Sequence, residues 1–225
     1  MEQAFASWSG GKDGCMALHL ASTSGLKIRY LLNMVTEDGR MSWSHGMAAR
    51  WLDMQSKAID IPLVQKRTKQ ADYEAAFTDT LIDFKREGIT AGVFGDIDFN
   101  AHKEWIDRVC AAGGITPHLP LWLMDQNKIM KDFVGLGFET IVVSTNSELL
   151  GEEWLGRRID REFISDIAKL KGVTPCGESG EYHTMVVDGP IFKKRLEVVK
   201  ADKVLRDKRW FYEITDCELK PKRGK

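Results

Sequence analysis

The sequence predicts an α/β fold, a Rossmann-like parallel sheet with helices on both faces, joined to a smaller α+β domain. Three observations predict it. Short apolar or β-rich runs recur through the first half, separated by segments long enough for crossover helices. A glycine turn, SGGKDG at 9–14, joins the first of these runs directly to a helix-like run. Past GGITPHLPLW the composition shifts, which divides the chain into residues 1–120 and 121–225.

The first strand is read at Ala4–Trp8, followed by a helix from Cys15 to Ala21. Further strands are expected at Ile28–Val35, Ile61–Gln65 and Thr90–Gly95. Tyr73, Phe77, Leu81 and Phe84 recur at helical spacing, with Asp72 placed to cap the helix start and Gly88 to end it. A second amphipathic helix over Ala101–Ala112 turns Ile106, Val109 and Cys110 to one side and stops at Gly113-Gly114. Pro117 and Pro120 then mark the joint. Beyond it Glu139–Ser144 and Tyr182–Val187 read as strands, and Trp210, Tyr212 and Ile214 alternate as one apolar strand face. The terminal KPKRGK reads as a solvated tail.

Composition narrows the function. With 32 Lys plus Arg against 33 Asp plus Glu, no global field favours nucleic acid or an anionic membrane. The four cysteines are scattered, with no CxxC pair and no histidine at metal-ligand spacing, so neither a zinc module nor a disulfide scaffold is signalled and a reducing, cytoplasmic setting is expected. The start MEQAFASW lacks the pattern of a signal peptide, and no run of about 18 apolar residues suggests a membrane span. Oligomeric state is left open.

The glycine turn carries the chemistry. Where a parallel strand runs straight into a helix, the first helical N–H groups point outward without partners and favour an anion. Gly10 and Gly11 let backbone approach a phosphate and permit positive φ. Ser7 and Ser9 add hydroxyl donors, and Lys12 adds a flexible point charge. The turn is built to hold a polyphosphate. The Walker pattern GxxxxGK[ST] fails, because residue 6 is Ala and Asp13 follows the lysine, and GxGxxG fails because the glycines are adjacent. Ligands of such sheets bind beyond the carboxyl ends of the strands, where strand order reverses. Asn33, Met34 and Val35, ending the second strand, are thus candidate backbone contacts to adenine. Gly95 and Asp96, ending the fourth, are placed to face ribose or the α-phosphate. His45, in the loop SWSHG, is a candidate to close over the nucleotide.

Ser9-Gly10-Gly11-Lys12-Asp13 resembles the PP-loop of N-type ATP pyrophosphatases, with Gly14 where that loop usually ends in serine. The resemblance implies that the β- and γ-phosphates of ATP are held while an acceptor attacks the α-phosphorus, and that the loop and Mg2+ stabilise the departing pyrophosphate. Asp13 then either touches Mg2+ or caps the helix. A second unusual stretch, CGESGEYHTMVVDGPIF at 176–192, packs Glu178, Glu181, His183 and Asp188 around glycines and a strand. Together with SGGKDG, HG at 45–46, FGDID at 94–98 and PLW at 120–122, it makes the chain resemble the diphthine–ammonia ligase family along nearly its full length.

That resemblance implies an ATP-dependent amide ligase that adenylates the carboxylate of diphthine on translation elongation factor 2 and transfers the acyl group to ammonia. Glu178 and Glu181 are then candidates to bind ammonium or take its proton, His183 to orient a carboxylate or phosphate, and Lys12 to act on the leaving pyrophosphate. Gly14 and His183 depart from the pattern of the better-known eukaryotic members. Two other classes compete. The first is a PP-loop ATP pyrophosphatase with another acceptor, an unknown small molecule or tRNA, of which an RNA-modifying enzyme would call for a basic surface and, in many thiolases, a reactive cysteine pair. A non-catalytic nucleotide sensor would not need Lys12 and Asp13.

Overall fold

The computed structural model of this chain describes residues 1–44 and 46–222. The candidate His45 and the last three residues of the charged tail therefore lie outside the described residues. The chain divides into two compact units, Met1–Ser9 with Asp13–Trp122, and Gly10–Lys12 with Leu123–Lys225.

The first unit holds strands β1 (Gln3–Ser7), β2 (Lys27–Val35), β3 (Leu63–Arg67), β4 (Ala91–Val93) and β5 (Thr116–His118). Helices α1 (Lys12–Thr23), α2 (Ala49–Ile59), α3 (Tyr73–Arg86) and α4 (Asn100–Gly113) alternate with them. The sheet order is β3-β2-β1-β4-β5, and every neighbouring pair is parallel. Ala4, Phe5 and Ala6 are at most 1% exposed, so the central strand is covered on both faces, as a parallel sheet requires. Phe5, Leu32 and Met34 form one core with Phe77, Leu81 and Phe84 of α3 and Ile106, Val109 and Cys110 of α4. Right-handed crossovers put α1 and α2 on the opposite face. From β3 the chain returns through α3 to the far side of β1. Strand order thus reverses between β1 and β4, and the carboxyl ends of that pair are where such a sheet receives a ligand.

The predicted fold class holds, while several element details differ. The third strand starts two residues later than expected because Asp60, left-handed at φ 66°, ends α2 and Ile61-Pro62 serve as connection. Asp72 does not cap α3 with its side chain; a 3-10 turn over Gln70–Asp72 supplies Gln70 O to the Tyr73 N–H instead. The proline stretch read as a joint contains β5, a three-residue edge strand where Pro117 is tolerated.

The second unit contains α5 (Gln126–Gly135), β6 (Glu139–Asn146), α6 (Arg161–Ile167), β7 (Tyr182–Asp188), β8 (Lys194–Arg206) and β9 (Arg209–Pro221). Its sheet is antiparallel, in the order β7-β6-β9-β8. Asp125 and Asp160 cap α5 and α6, each accepting a backbone N–H at 2.8 Å. The strand expected around Trp210–Ile214 is part of β9, yet of its three alternating residues only Ile214 is fully buried. β9 meets β6 only over Arg209–Phe211, and the rest of it pairs with β8 alone, so the ribbon's apolar face is partly open.

Candidate active site

In the first unit, β1 ends at Ser7 beside β4, and Ser9 and Asp13, the residues on either side of Gly10–Lys12, belong to that unit. Gly10 stands at φ 76°, a left-handed conformation that favours glycine. Ser7 and Ser9 are half-buried. A β-carbon added at Gly95 would lie 2.7 Å from the Asp13 carbonyl carbon and 2.7 Å from the Gly14 nitrogen, so the exit from β4 rests directly on the first turn of α1. Glycine at 95 is thus required for packing. At Gly14 a β-carbon would meet nothing nearer than Ser7 O at 3.7 Å, so serine would fit there and its absence removes a hydroxyl without relieving a clash.

Other candidates of this unit are already engaged. Asp96 Oδ1 lies 3.0 Å from His102 Nδ1. Met34 O accepts from Trp43 N at 3.0 Å, and Val35 O from Thr68 N at 3.0 Å, so each of these carbonyls keeps only its second lone pair for a ligand. Asn33 is 2% exposed, and its amide nitrogen donates to Trp8 O and Ser42 Oγ at 2.9 and 2.8 Å. Cys15 lies in the first turns of α1, where a thiol is often activated. Here burial, and then the Asp13 carboxylate, push its thiol well above the ordinary value, which favours the protonated form.

Gly10–Lys12 belongs with the second unit, where β7 holds it. Val186 N donates to Gly10 O, and Lys12 N donates to Thr184 Oγ1, each at 3.0 Å. The Lys12 side chain, 3% exposed, donates its ammonium to Cys176 O and lies 5.4 Å from the centre of the Tyr182 ring. A buried ammonium needs such an acceptor. The lysine read from sequence as a phosphate ligand is therefore held by a backbone carbonyl of the other motif.

That motif is pinned along its length. Cys176 N donates to Gln126 Oε1 at 3.0 Å, Tyr182 Oη to Pro175 O at 2.5 Å, and Arg209 Nη2 to Gly180 O at 2.5 Å. Gly177 and Gly180 take left-handed φ of 74° and 80° and turn the chain twice within four residues. Glu181 is 1% exposed. Its Oε1 accepts from Thr174 N at 2.6 Å, and its buried Oε2 has no partner among the described residues. Glu178 is half-buried, and its backbone N–H donates to Thr174 Oγ1 at 2.9 Å. His183, also half-buried, sits on β7 opposite Ser144 of β6. Sequence reasoning missed Thr184, Gln126 and Arg209. Thr184 stood inside the quoted motif, whereas Gln126 and Arg209 act through the fold and left no local signal.

Among the described residues no group of three or more His, Cys, Asp or Glu side chains is placed to hold a metal ion. Nor is any helix among them long and apolar enough to cross a membrane.

Residues 2–117 match the family model of the diphthamide synthase N-terminal domain, and residues 125–219 that of the diphthamide synthase C-terminal domain. A diphthine–ammonia ligase of Schizosaccharomyces pombe is 27% identical over 220 residues, covering 87% of this chain and 35% of that protein. The chain thus spans about a third of that relative's length. Diphthine–ammonia ligases of Bos taurus and Homo sapiens are each 24% identical, covering 87% and 88% of this chain and 82% and 83% of their own.

Proposed function

Because the chain belongs to the diphthamide synthase family, we propose that it is an ATP-dependent ligase that joins ammonia to a carboxylate, that of diphthine carried by translation elongation factor 2. The observation that carries this reading is the SGGKDG turn at the reversal of strand order, with its left-handed Gly10 and with Gly95 packed against the start of α1.

In this reading Ser7, Ser9, Gly10, Gly11, Asp13 and Gly14 receive the β- and γ-phosphates of ATP, and Asn33, Met34, Val35, Gly95 and Asp96 receive the nucleoside. A carboxylate oxygen of the acceptor attacks the α-phosphorus, and the bond to the bridging oxygen breaks to release pyrophosphate. Ammonia then attacks the acyl carbon and AMP departs. Lys12 leaves Cys176 O to neutralise charge that develops on pyrophosphate, an electrostatic contribution made where the charge appears. Glu181 has a free, buried carboxylate oxygen, the chemistry needed to hold ammonium and to take the proton that ammonia sheds as it bonds to carbon. Glu178 is its alternate, and His183 orients the carboxylate or a phosphate. Among the described residues no cluster of three or more His, Cys, Asp or Glu side chains makes a Mg2+ site by itself, so any Mg2+ would enter on the phosphates, with Asp13 as the protein candidate to hold it. The free cysteines suit a reducing, cytoplasmic setting.

The test is the product. Incubated with ATP, ammonium and elongation factor 2 carrying diphthine, the protein should form AMP, pyrophosphate and the amide in equal amounts, and Lys12→Ala should lower the rate by about a hundredfold or more. Formation of ADP, or a Lys12→Ala rate near that of the unaltered protein, contradicts the reading.

A further inference from the structure

We propose that the side-chain oxygen of Asn33 accepts a hydrogen bond from the exocyclic amino group of adenine and so sets the base selectivity of the nucleotide site. The proposal rests on the reading of ATP as substrate and moves the base contact from the backbone of β2 to a side chain.

Asn33 lies at the carboxyl end of β2, next to β1 in the sheet. Its amide nitrogen has two N–H groups, and both are committed, one to Trp8 O and one to Ser42 Oγ. These bonds fix which way the amide points. Turned over, Oδ1 would face the Trp8 carbonyl, acceptor against acceptor. The oxygen is buried and has no partner among the described residues. Among the described residues, three donors of the neighbouring chain are used elsewhere: Trp8 Nε1 goes to Gln55 Oε1, Trp43 Nε1 to Thr68 O, and Ser44 N to Ser42 Oγ. A well-packed interior rarely leaves an acceptor in this condition unless a water, an ion or a ligand completes it, and a nucleotide is the ligand that this end of the sheet receives.

The missing partner must therefore be a donor. Trp8, whose carbonyl Asn33 grips, immediately precedes the turn that receives phosphate, so the oxygen sits one strand outward from that turn. At the far end of the nucleotide from its phosphates, adenine carries an N–H donor on its six-membered ring. The backbone carbonyls of Met34 and Val35 already hold one bond each, whereas Asn33 Oδ1 holds none among the described residues.

Calorimetric titration of the unaltered protein with a series of triphosphates tests this without a variant that could disturb the fold. ATP, purine riboside triphosphate (hydrogen in place of the amino group), inosine triphosphate (a carbonyl there) and 2′-deoxy-ATP are compared. Binding should weaken about ten- to a hundredfold on loss of the amino group. It should weaken further for inosine triphosphate, whose oxygen would oppose Oδ1, and should change little for 2′-deoxy-ATP. Equal affinity for ATP and purine riboside triphosphate overturns this proposal and leaves ATP as substrate intact. So does a loss confined to 2′-deoxy-ATP, which would give the oxygen to ribose. Failure of every triphosphate to bind overturns the ATP reading and this one with it.

Discussion

Glu181 shows how a single residue can be legible in sequence and still gain its meaning from the fold. Its presence in CGESGEYH marked it as a candidate, because an ionisable group at the start of a half-buried strand is unusual. What the sequence does not contain is the division of labour between its two oxygens, one accepting from Thr174 N and one open. Replacing it with glutamine keeps the shape and removes the proton acceptor. Glu181→Gln should leave ATP–pyrophosphate exchange within about threefold of the unaltered protein and slow amide formation by about a hundredfold. Equal loss in both assays would remove the proposed role. Lys12 illustrates the opposite limit. Its spacing identified the turn, but nothing in SGGKDG reveals that the ammonium rests on Cys176 O, since that partner lies 164 residues away.

At the scale of elements, the first four strands of the parallel half were readable because each is an apolar or β-rich run set apart by a segment long enough for a helix. β5 was not, since three residues with a proline carry too little pattern to register. β8 was missed because its mixed charged and apolar residues do not alternate cleanly, and because its turn into β9 lacks glycine. Asp207 and Lys208 both hold positive φ, 46° and 61°, in a two-residue hairpin turn that normally carries glycine second. Lys208→Gly should relieve that strain and raise stability by about 0.5–1 kcal/mol in denaturant titration, because the exposed pair it loses with Glu148 contributes little. A loss of stability would show that the turn is better held by the lysine. The packing of β4 against α1 gives a sharper test. Gly95→Ala would drive a methyl into the backbone of Asp13 and Gly14, costing about 1–3 kcal/mol and weakening ATP binding by about tenfold or more. Unchanged affinity would mean that the start of α1 does not set the phosphate site.

Taken whole, the molecule is close to electrically neutral, and its four free thiols are all buried. Neither property explains its chemistry. In the proposed reading that rests on two short motifs, one following the central strand of a parallel sheet and one at the entry to an antiparallel strand. The most direct measurement follows an oxygen atom. With both oxygens of the acceptor carboxylate enriched in 18O, attack on the α-phosphorus followed by loss of AMP to ammonia must carry one labelled oxygen into AMP and leave the other in the amide. One 18O per AMP is the predicted result. Unlabelled AMP, or label recovered in inorganic phosphate beside ADP, would contradict the account.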